Sequence, residues 1–302
     1  MPSLAAVTID VAARNATLDK SWYTLLANMH TEFPELQDAG LHGYYTMSGS
    51  PRSFSVTLLQ YNQPDATSAK RLIQPLQRTL IAANSSATHR ITTQWFSSWY
   101  TMVKGVPCSG CTGTTHSVQA SRLIPRRSLE DVDLLSEVLR TVASLNNETA
   151  RHISNPPPNS MTSDLNCPQN GVSSPSISGT MTASKMPVNN SLNPAWRDTV
   201  VHLITKQTWD DTVPEEMVNQ AIQKMTYGKG YALRQLAPDS GAYFNEAYEY
   251  EPPWQSSLFG SNCPRLLFVK QKYDPDSVLW CPHCVGSEAW ALRGDGTLCQ
   301  AL

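Results

Sequence analysis

The strongest constraint on the fold is the order in which the apolar period changes along residues 7–96. VTIDV (7–11) alternates apolar and polar side chains, the mark of a half-buried strand. LDKSWYTLLANMHTEF (18–33) then puts Trp22, Leu25, Leu26, Met29 and Phe33 at helical spacing. HGYYTM (42–47) and SFSVTLLQY (53–61) return to strand character, with SGSPR as the turn between them. Residues 65–80 carry Leu72, Ile73, Leu76 and Leu80 on one helical face, and Pro75 must kink or restart that helix. THRITTQWF (88–96) is a further strand. Strand, helix, strand, strand, helix, strand is the order of a split βαβ, or ferredoxin-like, unit: an antiparallel sheet with helices on one face.

The same alternation resumes later. SRLIPR (121–126) is extended, and LEDVDLLSEVLRTVASL (129–145) buries Val132, Leu135, Val138, Leu139 and Val142 along one helical face. TVVHLITKQTW (199–209) is a strand, and PEEMVNQAIQKM (214–225) is a helix opened by proline in its first turn. The predicted fold class is therefore α+β, one large antiparallel sheet with helices on one face, spanning residues 1–235. From Leu236 onward the alternation stops, and 236–302 reads as a separate C-terminal segment. Two stretches resist assignment: the Gly/Thr-rich loop 105–118, and the Ser/Pro/Asn-rich run 151–190, whose PPP at 156–158 would damage a central strand.

The net charge of −2 and the lack of a basic stripe argue against a nucleic-acid partner. No run approaches the roughly 18 apolar residues of a membrane span. The start, MPSLAAVTIDV, lacks the charged and apolar regions of a signal peptide, so a chain made as given would be cytoplasmic. Against this stand four N-x-S/T acceptors, at Asn15, Asn84, Asn147 and Asn189, which matter only in a secreted protein. Seven cysteines leave at least one free or paired between chains. Cys108-Ser-Gly-Cys111 and Cys281-Pro-His-Cys284 are both C-x-x-C, but about 170 residues separate them, against the 15–20 of a zinc ribbon. A disulfide within 108–111, or incidental thiols, is the better reading than metal.

No Gly-x-Ser-x-Gly elbow, P-loop or G-x-G-x-x-G is present. His202, flanked by apolar residues in VVHLI, reads first as a packing residue and second as a base. In GAYFNEAYEYEPPWQ (241–255), an extended backbone would point Tyr243 and Asn245 the same way, offering a phenol and an amide to a planar, hydrogen-bonding ligand. A flavin ring is one such ligand among others. Trp254 and Phe259 read as core anchors.

The run YFNEAYEYEPPWQSSLFGSNCPRLLFVKQKYDPDSVLW, with VGSEAW and DGTLC after it, resembles the C-terminal segment of berberine bridge enzyme-like proteins. These are FAD-linked oxidoreductases of the vanillyl-alcohol-oxidase superfamily. The matching positions are Tyr243, Asn245 and Glu246; Glu251, Pro252 and Trp254; Gly260, Asn262, Arg265 and Leu266; and Lys270, Lys272, Tyr273, Asp274 and Pro275. NPAWR (193–197) and SRLIPR are similar to further landmarks of the fungal-type branch. The resemblance implies oxidation of an alcohol, amine or carbon centre of a small molecule, with hydride passing to FAD and dioxygen as acceptor. It also implies a role in secondary metabolism and a secretory location.

By the same resemblance Tyr243 lines the flavin and assists proton transfer, Asn245 hydrogen-bonds near the flavin or positions Tyr243, and His202 is a substrate-facing residue of the sheet. Family members carry a separate FAD-binding domain with Gly-rich loops, and the present chain reads as their substrate domain plus the C-terminal segment. The alternative function is thus a truncated, non-catalytic chain that binds no flavin alone, or one that pairs with a separate FAD-domain chain. Tyr248, Cys263 and the Cys281/Cys284 pair depart from the family pattern, and no metal site belongs to it.

Overall fold

A computed structural model gives the fold and describes residues 2–14, 19–49, 51–104, 116–144, 172–173, 175–181, 186, 188–246 and 250–301. The PPP at 156–158, the Cys108/Cys111 pair, Asn15, Asn147 and Tyr248 lie outside the described residues.

Among the described residues seven strands form one sheet: β1 (Leu4–Ala13), β2 (Leu41–Gly49), β3 (Arg52–Tyr61), β4 (Ala87–Phe96), β5 (His116–Pro125), β6 (Ser176–Met181) and β7 (Thr199–Trp209). Their spatial order is β4-β1-β3-β2-β6-β7-β5, with every pairing antiparallel. The first four strands have the 4-1-3-2 order of the split βαβ unit, and three more continue the sheet from its β2 edge.

One face is buried under helices α1 (Asp19–Thr31), α2 (Phe33–Asp38), α3 (Thr67–Leu72), α4 (Gln74–Ala82), α5 (Trp99–Val103), α6 (Arg126–Leu129), α7 (Val132–Ala143), α8 (Glu215–Lys224) and α9 (Gly230–Leu236), with α5 the exception described below. Trp22, Leu26 and Met29 of α1, Leu76 and Leu80 of α4, and Leu135, Leu139 and Val142 of α7 meet Ile9, Val56, Tyr45 and Leu203 from the strands. Pro75 does restart a helix: α3 ends at Leu72, and the proline occupies the first turn of α4, where its missing N–H is not needed. Pro214 sits one step earlier than its sequence suggests, at the N-cap of α8.

Two buried polar groups are built into this core. His30 Nδ1 donates to the Leu26 carbonyl at 2.7 Å, which fixes the tautomer and leaves Nε2 to accept the Tyr45 hydroxyl at 2.8 Å. Burial holds the His30 pKa down near 4 and pushes the Tyr45 phenol up. The Tyr45 ring lies where a Cβ at Gly179 would be, 2.0 Å from its Cζ, so the central strand β6 requires glycine at that point. Second, a π-helical turn (Met225–Lys229) joins α8 to α9 and turns Lys229 onto the end of α7. There Nζ donates to the Val142 and Ser144 carbonyls, both at 2.7 Å. The last carbonyls of a helix lack intrahelical partners, and Lys229 satisfies two of them from inside the core.

The opposite sheet face lacks a comparable helix layer among the described residues. Leu4, Ala6 and Leu59 form a small cluster with Phe96 and with Met102 of α5 at one corner. Across the rest runs a row set by register: Thr8 pairs with Thr57, Thr57 with Tyr44, Tyr44 with Thr180, and Thr180 with His202. Tyr44, in the middle of the sheet, is 69% exposed. No helix among the described residues is long and apolar enough to cross a membrane.

Beyond α9 the chain folds into a short 3-10 turn (Phe244–Glu246), α10 (Trp254–Phe259), α11 (Cys263–Tyr273) and a two-stranded hairpin of β8 (Trp290–Leu292) and β9 (Leu298–Gln300). Trp254 and Phe259, read from the sequence as core anchors, are half-buried instead. They pair edge to face at 6.4 Å in a small cluster outside the main core.

Candidate functional site

The C-terminal segment reaches the β5–β7 end of the sheet, on the face that lacks a helix layer among the described residues. Edge strand β5 donates from Leu123 N to the Gly241 carbonyl at 2.8 Å, and Ala242 N donates to Ser257 O at 2.7 Å. These bonds fix the chain immediately before Tyr243. Glu246 N then donates to the Tyr243 carbonyl at 3.0 Å, closing a 3-10 turn. The extended geometry expected for 243–245 is therefore wrong, because the pinned backbone at 241–242 turns at once. Tyr243 and Asn245 still meet, since Asn245 Nδ2 donates to Tyr243 Oη at 2.7 Å. With a lone pair of the phenol so occupied, its O–H proton is what Tyr243 has left to offer a partner.

Two rings flank this phenol. Trp196 lies in a 3-10 turn (Pro194–Arg197) that leads into β7, and His202 lies on β7 itself. Trp196 to Tyr243 is 5.4 Å, His202 to Tyr243 5.8 Å and Trp196 to His202 5.4 Å between ring centroids. Tyr243 meets both of the others almost perpendicularly, at 87° and 86°. His202 is buried, and desolvation holds its pKa down near 4, so the ring is neutral at neutral pH. Its Nε2 is buried with no hydrogen-bond partner among the described residues. A buried polar atom left unpaired typically costs about 1–3 kcal/mol, which makes this nitrogen a feature to be explained. Tyr243 and His202, singled out separately in the sequence, are thus brought together, while Trp196 was overlooked even though NPAWR stood out as a landmark.

Other landmark residues turn out to be staples. Asn193 Nδ2 donates to Ser257 O at 2.8 Å, and Asn193 Oδ1 accepts from Ala195 N at 3.0 Å. Gly260 (φ +57°) lies so close to Asn193 that a Cβ there would stand 2.8 Å from Oδ1. Asn262 Nδ2 donates to Leu192 O at 2.8 Å. Glu251 is buried with one oxygen accepting from Arg234 at 2.9 Å and the other from Ser257 Oγ at 2.8 Å. Arg122 of β5 comes within 3.8 Å of the same carboxylate and donates to the Ala237 and Pro238 carbonyls at 2.8–2.9 Å. Arg122 was visible only as part of SRLIPR. Its partners lie more than 100 residues away, beyond the reach of any local pattern. Asp274 pairs with Lys270 and accepts from the Val278 and Leu279 amides at 2.8 and 3.0 Å, closing the turn after α11.

Cys281 and Cys284 form a disulfide, Cys263 and Cys299 are free thiols, and no cluster of metal-binding residues occurs among the described residues. Asn84 and Asn189 are exposed.

Residues 242–286 match the family model for berberine and berberine-like proteins. The chain is 26% identical to the FAD-linked oxidoreductase hmp9 of Hypomyces subiculosus over 99% of its own length and 46% of that protein's. It is also 26% identical to the VAO-type flavoprotein oxidase VAO615 of Thermothelomyces thermophilus, over 95% of its own length and 46% of the relative's. The crystal structure of the VAO-type flavoprotein MtVAO713 from Myceliophthora thermophila superposes with a TM-score of 0.84 at 22% identity. That likeness covers 100% of this chain and 51% of MtVAO713, and it carries the fold. The chain therefore spans about half the length of the curated relatives it matches. The C-terminal segment is thus similar to berberine and berberine-like proteins, the chain as a whole is similar to proteins named as FAD-linked oxidoreductases, and the sheet architecture is that of VAO-type flavoproteins.

Proposed function

We propose that the chain is the substrate-facing part of a FAD-linked oxidoreductase acting on an alcohol, amine or carbon centre of a small molecule in secondary metabolism. The observation that carries this reading is the contact between the Tyr243 ring and the buried, neutral His202, whose Nε2 has no hydrogen-bond partner among the described residues. The residues suit one part of FAD. Tyr243 and Asn245 offer a ring face and polar groups to the flavin, whereas the sequence holds no G-x-G-x-x-G or P-loop to cradle the pyrophosphate. In this reading a FAD-binding domain, on the same or a separate chain, grips the pyrophosphate. α11 has no buried residue, and Phe268, Tyr273, Val278 and Leu279 around it are exposed, as a docking surface for such a domain would be.

The chemistry supplied by bound FAD is two-electron oxidation, with hydride passing to the flavin and dioxygen as the final acceptor. The chain's own residues bind, orient and move the proton. Tyr44 and Thr180 form the floor on which a small substrate lies, in the same cross-strand row as His202. Tyr243, held by Asn245, orients the substrate with its O–H. His202 Nε2, neutral at working pH, takes the substrate's proton once the substrate displaces the Tyr243 edge from it. In this reading the protein passes through the secretory pathway and carries glycans on its exposed acceptors Asn84 and Asn189.

A second reading is a non-catalytic chain that holds no flavin by itself. The visible absorption spectrum of the purified chain after incubation with FAD separates the two. A perturbed flavin spectrum that saturates supports the first reading. A spectrum equal to free FAD plus protein overturns it for the 302-residue chain.

A further inference from the structure

The Cys281–Cys284 disulfide closes a ring around two residues, Pro282 and His283. His283 has a φ of +58°, a left-handed conformation that is costly for a residue with a Cβ. Its imidazole stacks on Trp254, with ring centroids 5.1 Å apart and 25° between planes. Trp254 meets Phe259 edge to face at the other end of α10, and Phe259 packs on Phe244 at 5.6 Å. Phe244 is the next residue after Tyr243. An unbroken line of ring contacts therefore runs from the disulfide to the turn that presents the phenol.

Cys284 N donates to Cys281 O at 3.1 Å, Ser287 N to Cys284 O at 2.9 Å, and Trp280 Nε1 to Ser287 O at 3.2 Å. A ring closed over two residues removes little chain entropy, so the consequence of the S–S bond is local rather than global. Both cysteines are half-buried rather than sealed, within reach of a small thiol. Both stand apart from the free thiols Cys263 and Cys299, to which neither is bonded.

We propose that Cys281–Cys284 is a thiol-responsive clasp that locks His283 over Trp254 and, through Phe259 and Phe244, steadies the Tyr243 turn. The clasp opens by exchange with a dithiol. One reagent thiolate attacks a protein sulfur and the S–S bond breaks. The reagent's second thiol then displaces the first mixed disulfide. The products are two protein thiols and one cyclic reagent disulfide, with two electrons and two protons passing from reagent to protein. Once open, His283 relaxes out of its left-handed conformation and leaves Trp254, and residues 243–246 and 254–259 loosen while the sheet does not. This inference does not depend on flavin binding and is tested without it.

The experiment is hydrogen exchange read by mass spectrometry on the 302-residue chain in oxidised and reduced dithiothreitol buffers, with thiols counted by alkylation in parallel. Reduction is expected to free Cys281 and Cys284 and to speed exchange in peptides covering 243–246 and 254–259 by about tenfold, with β1 and β3 unchanged. The Cys281→Ser/Cys284→Ser variant should show the fast pattern in both buffers. His283→Ala, with the disulfide intact, should show it without any change in thiol count, and it serves if the double variant does not fold. Exchange in these peptides that is the same in both buffers would overturn the proposal. So would a change of equal size in the double-serine variant, because the response would then come from other cysteines.

Discussion

Replacing Glu251 with alanine tests how the C-terminal segment is fastened to the sheet. The carboxylate is 6% exposed and sits between Arg122, 3% exposed, and Arg234. Arg122 loses most from desolvation, gains from Glu251 and loses again from Arg234, so its pKa is already depressed. Truncation at 251 removes the anion from between two cations and takes away the acceptor of Ser257 Oγ. Removing one partner of a buried pair costs about 3–5 kcal/mol, because the remaining charge stays buried and uncompensated. With an unfolding entropy of about 2.1 cal/mol/K per residue over 302 residues, each kcal/mol lowers Tm by about 1.6 °C, so the expected loss is about 5–8 °C.

Differential scanning calorimetry of the parent, Glu251→Ala and Glu251→Gln reads this directly. Glutamine keeps an acceptor for Ser257 and should recover part of the loss. The double variant Arg122→Met/Glu251→Met should be less destabilised than the two single variants combined, by more than about 1 kcal/mol, since the residues share one network. A Glu251→Ala protein melting within 1 °C of the parent, on the same calorimeter and buffer, refutes the argument. So does strict additivity in the double variant.

Other outcomes follow from the core and the site. His30 and His202 have folded pKa values near 4 against about 6.5 unfolded, so the unfolded chain binds more protons between those values. Stability is then complete above pH 6.5 and falls as pH drops toward 4, by about 2 kcal/mol per ring at pH 5. Proton-detected histidine titrations should show both rings neutral at pH 5, and rings titrating near 6.5 would contradict their burial. Gly179→Ala drives a Cβ into the Tyr45 ring and should cost about 3 kcal/mol or more in urea unfolding. Adding Tyr45→Leu should recover part of that loss, and an absence of recovery would show that the ring is not the obstacle.

The legible part of the fold was the part with strong periodicity. The βαββαβ half, α7, β7 and α8 follow from apolar spacing alone, because each buries one face against the same core. β6 was not legible. Its sequence SISGTM is short, hydroxyl-rich and interrupted by glycine, in a region dominated by serine and proline. The reason for that glycine is the Tyr45 ring on β2, which no local pattern contains. The π-helical turn and α9 were hidden by glycines at 228 and 230. At the site, residue types pointed to Tyr243, Asn245 and His202, but their convergence did not follow. It depends on long-range pinning: Leu123 to Gly241, Asn193 and Ala242 to Ser257, and Glu251 between two arginines. The local conformation of 243–245 was misread for the same reason.

The central claim is that Tyr243, backed by Asn245, Trp196 and His202, is a wall for the flavin ring. It is tested most directly by titrating FAD fluorescence with the parent chain and with Tyr243→Ala. The account predicts saturable quenching by the parent, as the flavin stacks against the aromatic cluster, and about tenfold weaker binding by the variant. Quenching of equal affinity in both proteins, or no saturable quenching in either, would contradict it.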